Sequence, residues 1–540
     1  MKKIKFILFC SILSAVMLSG CSGSSSSGAR LISISPDNGT QFGDQQVTAV
    51  IAGLGGNCIS PTVYLGNKAR GVTITSQQGN EITINFTTAG TPTAGTYPLI
   101  LSNGSTTCAY FSNTYTYRPP VSSYFKTFVA MGASYTAGFQ SDSYNEVAQL
   151  NGPATWIARQ AGAYFPIPLI KMPGLPPEEG FEGLDTDGNF TVSLAAIATQ
   201  LFTAANFSSF FVDPDVTPYN IAVPGAEIQD EVLGPASKSS SSSFVIPLTN
   251  FLFAPYDNNF FETKDIKPEI VMAKELNPTI IVSTDEYGND LLTGGVTPFS
   301  EFAEYITQAV SALAATGAQV FLANVPHAIY LPGFQQTALA QLTPCNLTFS
   351  DVTLQQLDLA SDPDTCASTF TNGTCAYNAC ETLVSIDQSV DQFNTEFENA
   401  VAGYPNVHVV SFAGLMNGTV QLAGQGVTFD SEGFPEYIIG SQTLKMKHLG
   451  GFYSMDDLHL TNTGYAVLAS IFVQTINDTL GTTVPLPDLP SIVAADPLSP
   501  TALSDYCSLP ANNEKLYCQC VNGPASYISV TTFTCSTLLY

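Results

Sequence analysis

The sequence predicts two folded parts, an N-terminal all-β domain and a larger α/β domain built on a parallel sheet. Three observations predict this. At 540 residues the chain exceeds what one hydrophobic core usually serves. Residues 31 to 117 alternate apolar and polar positions in short runs separated by turn residues, with no helical period. From residue 124 onward, apolar runs instead alternate with helical patterns, as parallel strands joined by crossover helices require.

At the start, Lys2, Lys3 and Lys5 precede an apolar run from Phe6 to Leu18, too short to span a bilayer and built like a secretory signal. It ends in Leu18-Ser19-Gly20-Cys21, which resembles a bacterial lipobox. The resemblance implies a signal peptide over residues 1–20, a lipid-carrying Cys21, and an exported lipoprotein held at the outer membrane or cell surface. Ordinary signal cleavage, with Cys21 as a stray thiol, is the alternative. A Ser-rich tether covers 21–29. The Asn-x-Ser/Thr triplets at Asn346 and Asn417 then read as chance occurrences.

Charged residues make up 11% of the chain against roughly 25% in an average protein, and the formal net charge is −27. Such a surface repels nucleic acid and anionic head groups, so neither is expected as a partner held by charge alone. Apart from Cys10 and Cys21, ten cysteines remain. In an exported chain they suggest disulfides: Cys58 with Cys108, pairings among Cys345, Cys366, Cys375 and Cys380, and pairings among Cys507, Cys518, Cys520 and Cys535. Connectivity within the two later groups stays open. The rival is a zinc site at Cys518-x-Cys520, which has no His near it.

In the β-rich part, Val47, Ala49 and Ile51; Ile82, Ile84 and Phe86; Tyr97, Leu99 and Leu101; and Phe111 to Tyr117 mark strands of a sandwich of seven or so. Ile34-Ser35-Pro36-Asp37-Asn38-Gly39, Ala94-Gly95-Thr96-Tyr97-Pro98-Leu99 and Tyr115-Thr116-Tyr117 resemble an IPT/TIG immunoglobulin-like domain over residues 30–118. That resemblance implies a spacer or binding module and carries no chemistry. Arg118-Pro119-Pro120 marks the boundary.

The α/β part opens with Thr127 to Phe139, a buried strand running into a tight turn with Ser134 at its tip. Further strands are expected at Tyr219–Val223, Thr279–Ser283, Gln319–Ala323 and Val407–Val410. A helix bearing Phe302, Ile306, Ala309, Val310 and Leu313 on one face ends at Gly317, and another runs from about Thr463 to Ile476. Three stretches join Ser134 at strand ends: Tyr219-Asn220-Ile221-Ala222-Val223-Pro224-Gly225-Ala226, Tyr287-Gly288-Asn289-Asp290, and Asp456-Asp457-Leu458-His459-Leu460-Thr461. In order, they resemble the four blocks of the SGNH, or GDSL, hydrolase family over roughly residues 124–480. Gly450 to Ala466 is the most specific part.

The resemblance implies a three-layer α/β/α, flavodoxin-like domain and a serine ester hydrolase. Ser134 would be the nucleophile, His459 its base and Asp456 the group that orients the imidazole. The amides of Ser134 and Gly225 and the side chain of Asn289 would form the oxyanion hole. No Gly-x-Ser-x-Gly elbow is present, against the α/β-hydrolase fold. Asp290 reads as a turn or helix-start residue, His408 as structural, and His327 as a residue that borders the site. Two positions depart from the family pattern: Ala133 stands where Asp is usual, and Tyr287 where Gly is. They leave room for a surface lipoprotein that kept the fold as a non-catalytic glycan-binding or scaffold module, but such a module has no need of Ser134, Asn289, Asp456 and His459 together.

The substrate expected is an acyl ester, lipid or lysophospholipid-like, with an acylated polysaccharide as runner-up. The Phe-rich insertions, with Phe202, Phe207, Phe210, Phe211, Phe244, Phe251, Phe253, Phe260 and Phe261, would wall an acyl groove or fill their own core. Nothing in the residues demands a metal or cofactor, and oligomeric state is not legible. Residues 481–540 read as a Pro-rich linker and a Cys-rich tail of unknown role.

Overall fold

A computed structural model describes residues 28–56, 58, 60–175, 178, 210–213, 216–234, 267–292, 297–335, 343–345, 365–447 and 449–509. The chain divides between Pro119 and Pro120 into two compact units.

Among the described residues of the first unit, nine strands form two sheets. One has the order β1-β3-β7-β6, from Arg30–Ser35, Gln46–Ala52, Glu81–Thr87 and Arg70–Gln78; the other has the order β2-β9-β8-β4-β5, from Asn38–Thr40, Thr106–Arg118, Gly95–Asn103, Thr62–Leu65 and Asn67–Lys68. Alternate residues of both sheets, among them Val47, Ile51, Ile84, Phe86, Val63, Leu65, Leu99 and Leu101, enter one core, which is the period-two pattern of the sequence made physical. Tyr117 crosses that core and donates its hydroxyl to the carbonyls of Leu65 (3.0 Å) and Ala89 (2.8 Å). Cys58 and Cys108 are bonded, as expected.

The second unit is organised by four parallel strands in the order β10 (Phe128–Ala130), β11 (Ile280–Ser283), β12 (Gln319–Ala323) and β13 (Val407–Val410). All four coincide with strands expected from sequence. The Tyr219–Val223 stretch is a partial correction. It forms only a bridge at Asn220, but runs parallel beside β10 through Ala130 N to Tyr219 O (2.9 Å), Ile221 N to Ala130 O (2.8 Å) and Val223 N to Gly132 O (2.9 Å). Val129, Ile281, Val320, Leu322 and Val407 enter one core with the helix Phe299–Ala314, whose Phe302, Ile306, Ala309, Val310 and Leu313 are buried as the sequence spacing requires. The long helix Cys375–Val401 contributes Val390, Phe393 and Phe397 to the same core. Phe211 is also buried there and Phe210 packs against the same core, so the end of one Phe-rich insertion fills core; Phe202, Phe207, Phe244, Phe251, Phe253, Phe260 and Phe261 lie outside the described residues.

Disulfides Cys345–Cys375 and Cys366–Cys380 resolve the connectivity that the sequence left open. The last cysteine group lies outside the described side chains. A three-stranded antiparallel sheet, Gly426–Phe429, Pro435–Ile439 and Gln442–Lys445, was not expected. Its short strands sit among Gly, Pro and Asp and give too few periods to read. Residues 481 to 509 also differ from the expected linker: helices Leu489–Ala495 and Pro500–Ser508 follow Asn462–Leu480, with Val484, Leu489, Val493 and Leu503 buried. Each of these helices has Pro in its first turn, where the missing N–H costs nothing, so Pro490 and Pro500, two of the prolines that suggested a linker, start helices instead. Among the described residues no helix is long and apolar enough to cross a membrane.

Candidate active site

Ser134 stands at the carboxyl end of β10, on a turn whose backbone leaves little freedom. Gly132 has φ +112°, and a Cβ there would lie 2.4 Å from Ser283 Oγ, so only glycine fits. Ser134 opens a single helical turn, Ser134–Ala137, closed by Gly138 at φ +81°. Asp285, just past β11, organises this turn. Its carboxylate accepts the N–H groups of Ala133 (3.1 Å), Tyr135 (2.6 Å) and Thr136 (3.1 Å) and the Thr136 hydroxyl (2.7 Å). Burial pushes the Asp285 carboxyl above its ordinary value, and these four bonds pull it back. The Ser134 N–H lies between the amides that Asp285 uses, and it donates to no group among the described residues.

The second and third blocks meet beside it. Gly225 has φ +85°, and its N–H likewise donates to none of the described groups. Asn289 lies on the short helix Gly288–Leu292 and donates from Nδ2 to Ala226 O (2.8 Å), which ties it to the Gly225 loop. Asp290 is a buried clasp: it accepts Ile228 N (2.9 Å) and Thr297 Oγ1 (2.8 Å). Tyr287 is fully buried, with its ring 5.2 Å from Phe302 and 5.1 Å from Phe397 and its hydroxyl on Asn394 Oδ1 (2.7 Å). The tyrosine thus fills core and pins the loop where the family usually has glycine. Tyr287→Gly is therefore expected to act through lost packing, and to destabilise the fold by about 3–5 kcal/mol in urea unfolding, the usual cost of emptying an aromatic site.

His459 approaches from the loop before the helix Asn462–Leu480. Its Nδ1 is 2.9 Å from Asp456 Oδ2, while Asp456 Oδ1 accepts the N–H of His459 (2.7 Å) and of Leu458 (3.0 Å). Asp142 N donates to Oδ2 (2.8 Å). Burial works against the charged Asp456, but the His459 charge and these hydrogen bonds outweigh it and hold the carboxyl well below its usual range. Asp457, between the two, has φ +56°, a left-handed conformation uncommon outside glycine, so the loop is bent sharply to bring three residues back on themselves. Tyr135 and Phe139, from the Ser134 turn, hold the imidazole between ring centroids 5.5 and 4.8 Å away. Tyr135 also donates its hydroxyl to Leu458 O. Nε2 of His459 is buried and has no hydrogen-bond partner among the described residues, so the bond to the Ser134 hydroxyl is not made in this structure. Such contacts are commonly loose before substrate arrives.

A narrow cleft opens over Ser134 and Asn289, walled by Val325, Pro326, Leu331, Phe412 and Leu458. His327 lies beyond this wall, 2.9 Å from Asp391. His408 is structural, on β13 beside Gln319 (2.9 Å), and His448 lies outside the described residues.

Sequence reading missed the acids behind the turn. Glu269 accepts Gly132 N (3.0 Å), and Glu231 and Glu286 are fully buried next to each other, with Ser283 beside Glu286. Burial pushes Glu286 up to about 7, while burial and the neighbouring acids raise Glu231 and Glu269 well above their ordinary values. Asp142, beside Asp456, is pushed up to about 6 by burial and by that neighbour's charge. The one available signal was the pair Asp285-Glu286, adjacent acids after an apolar strand in a chain poor in charge.

Residues 128–472, more than half of the chain, match the model of the GDSL-like lipase/acylhydrolase family. No curated protein matches the sequence closely enough to count as a relative. The chain therefore belongs to the GDSL-like lipase/acylhydrolase family and is an ester hydrolase in the general sense.

Proposed function

We propose that the protein is a carboxylic ester hydrolase working through an acyl-enzyme on Ser134. The observation that carries this reading is the division of labour among the amides of the turn. Asp285 consumes those of Ala133, Tyr135 and Thr136 and leaves the Ser134 N–H available, in a cleft that Asn289 also lines. A scaffold gains nothing from an amide kept unpaired, whereas an oxyanion hole requires it.

In this mechanism His459 Nε2 takes the proton of Ser134 as Oγ bonds to the acyl carbon. Asp456 holds Nδ1–H and stabilises the imidazolium. The negative oxygen is received by the Ser134 and Gly225 amides and by Asn289. Collapse breaks the bond to the alcohol, which leaves with the proton from His459; water, deprotonated by the same base, then releases the acid. The apolar wall of Val325, Leu331, Phe412 and Leu458 suits the acyl group. Turnover of 4-nitrophenyl esters of graded acyl length, with covalent labelling by a fluorophosphonate, tests the reading. An unlabelled protein without turnover on any ester would leave only the non-catalytic module.

Asn289→Ala is expected to lower kcat by about 10²- to 10³-fold with KM nearly unchanged, the usual loss for one oxyanion donor. Parent-like turnover by that variant would place the donor elsewhere. On the same reading, the nine-stranded N-terminal unit is an immunoglobulin-like spacer, and Cys21 carries a lipid that holds the enzyme at a membrane. Cys21→Ala should release it to the soluble fraction in membrane fractionation; retention would dismiss the anchor.

A further inference from the structure

At the loop 324–327 lies a second hollow of about 280 Å³, lined by Asn324, His327, Tyr330, Asp391, Asn394 and Glu398, among others. It shares Asn324 with the cleft over Ser134, and the chain passes from one to the other at Pro326–His327 and at Phe412–Ala413. The two differ in chemistry. The cleft wall is aliphatic and aromatic, whereas the hollow presents side-chain amides, a phenol, an imidazole and two carboxylates. Among the described residues no Lys or Arg lines it.

We propose that this hollow is the subsite for the alcohol half of the ester, and that the alcohol is a neutral sugar residue. The inference rests on the ester-hydrolase reading above and deepens it. Mixed donors and acceptors suit hydroxyl groups, each of which gives one hydrogen bond and accepts others. A phosphate would meet Asp391 and Glu398 with no cation opposite, in a chain of net charge −27, so a phospholipid head group is disfavoured. The floor is fixed in advance. Asn394 holds the Val325 backbone from both sides, N–H to Oδ1 at 3.0 Å and Nδ2 to O at 2.8 Å, and takes the Tyr287 hydroxyl. His327 is set by Asp391 at 2.9 Å, and Asn324 Oδ1 accepts Ala413 N at 2.9 Å. Little ordering entropy is then left to lose on binding. In the reaction, the bond between the acyl carbon and the sugar oxygen breaks. That oxygen leaves with the proton from His459, and water later releases the carboxylic acid from Ser134.

The test compares two esters with the same acyl group and an aliphatic alcohol, methyl 6-O-acetyl-glucopyranoside and ethyl acetate, with lysophosphatidylcholine as a third substrate and 4-nitrophenyl acetate as the activity control. The parent should prefer the sugar ester over ethyl acetate in kcat/KM by at least tenfold. Thr395→Trp and Glu398→Trp, at exposed positions on the rim, should each cut that ratio by tenfold or more. Turnover of 4-nitrophenyl acetate with no preference for the sugar ester, a ratio that neither variant moves, or a preference for lysophosphatidylcholine would overturn the subsite while leaving the esterase standing. Absence of turnover on 4-nitrophenyl acetate would instead remove the reading on which it rests.

Discussion

Ser134→Ala is expected to lower kcat for 4-nitrophenyl acetate by about 10⁵- to 10⁶-fold and to abolish fluorophosphonate labelling, the scale of loss known when a triad nucleophile is removed. No neighbour can take its place. The flanking residues on the turn are Ala133 and Tyr135, and the tyrosine hydroxyl is committed to Leu458 O. Folding should be preserved, because the turn is held by backbone amides on Asp285 and by Gly132 on Glu269, none of which involves the Ser134 side chain. His459→Ala should come close to the same loss, and the double variant should be no worse than the single ones, since members of such a unit do not act additively. Parent-like turnover by Ser134→Ala in a folded protein would end the proposed mechanism.

The second large effect concerns stability and pH. Glu286 titrates at about 7 in the folded protein against an ordinary 4.5, because burial and the Asp285 charge disfavour its ionised form. A folded state that holds a proton longer than the unfolded chain loses stability as pH rises. The contribution is full below about 4.5, declines through the interval up to about 7, and is then lost. At 1.36 kcal/mol per unit this amounts to about 3 kcal/mol for Glu286 alone. Glu231 and Glu269, also raised, push in the same direction. Asp456 acts oppositely: its depressed carboxyl contributes stability above its ordinary value of 3.8, which is lost as pH falls further. Unfolding by urea should therefore show greatest stability near pH 4 to 5 and a clear decline by pH 7.5. Glu286→Gln should flatten that decline and raise stability at pH 7.5. A profile that climbs toward neutrality, or a slope untouched by Glu286→Gln, would mean the cluster carries its charge at no cost.

The sequence and the structure agree where periodicity is long or where a residue type is forced. The helix Phe299–Ala314 shows its buried face at a spacing of three and four, and β10 to β13 are apolar runs with turn residues after them. Ser134, Asp456 and His459 were legible because each sits in a block whose neighbours have their own backbone reasons for being there. Asp285 and the buried glutamates were not, because their partners are distant in sequence: Gly132 lies 137 positions from Glu269, and Tyr135 lies 150 from Asp285. A carboxylate that serves amides from another segment looks, in one dimension, like any surface acid. Tyr287 was legible only as a departure; the aromatic cavity that explains it is assembled from Phe302 and Phe397.

One contact outside the four blocks changes how the enzyme can be dissected. Asp496, buried beyond the final helix of the family match, accepts both the amide of Thr463 (2.7 Å) and its hydroxyl (2.6 Å), in the first turn of the helix that follows His459. The loop bearing His459 is thus clamped by a segment that a motif search would discard. Shortening the gene at the codon after Leu480 would preserve every recognisable signature, yet orphan a buried donor four residues from the imidazole. It would also bare the apolar patch that Val484, Leu489 and Val493 cover. The smallest portion worth expressing alone runs from Pro120 to at least Leu509, and any trimmed version should be judged by how firmly His459 is held before its turnover is compared with that of the whole chain.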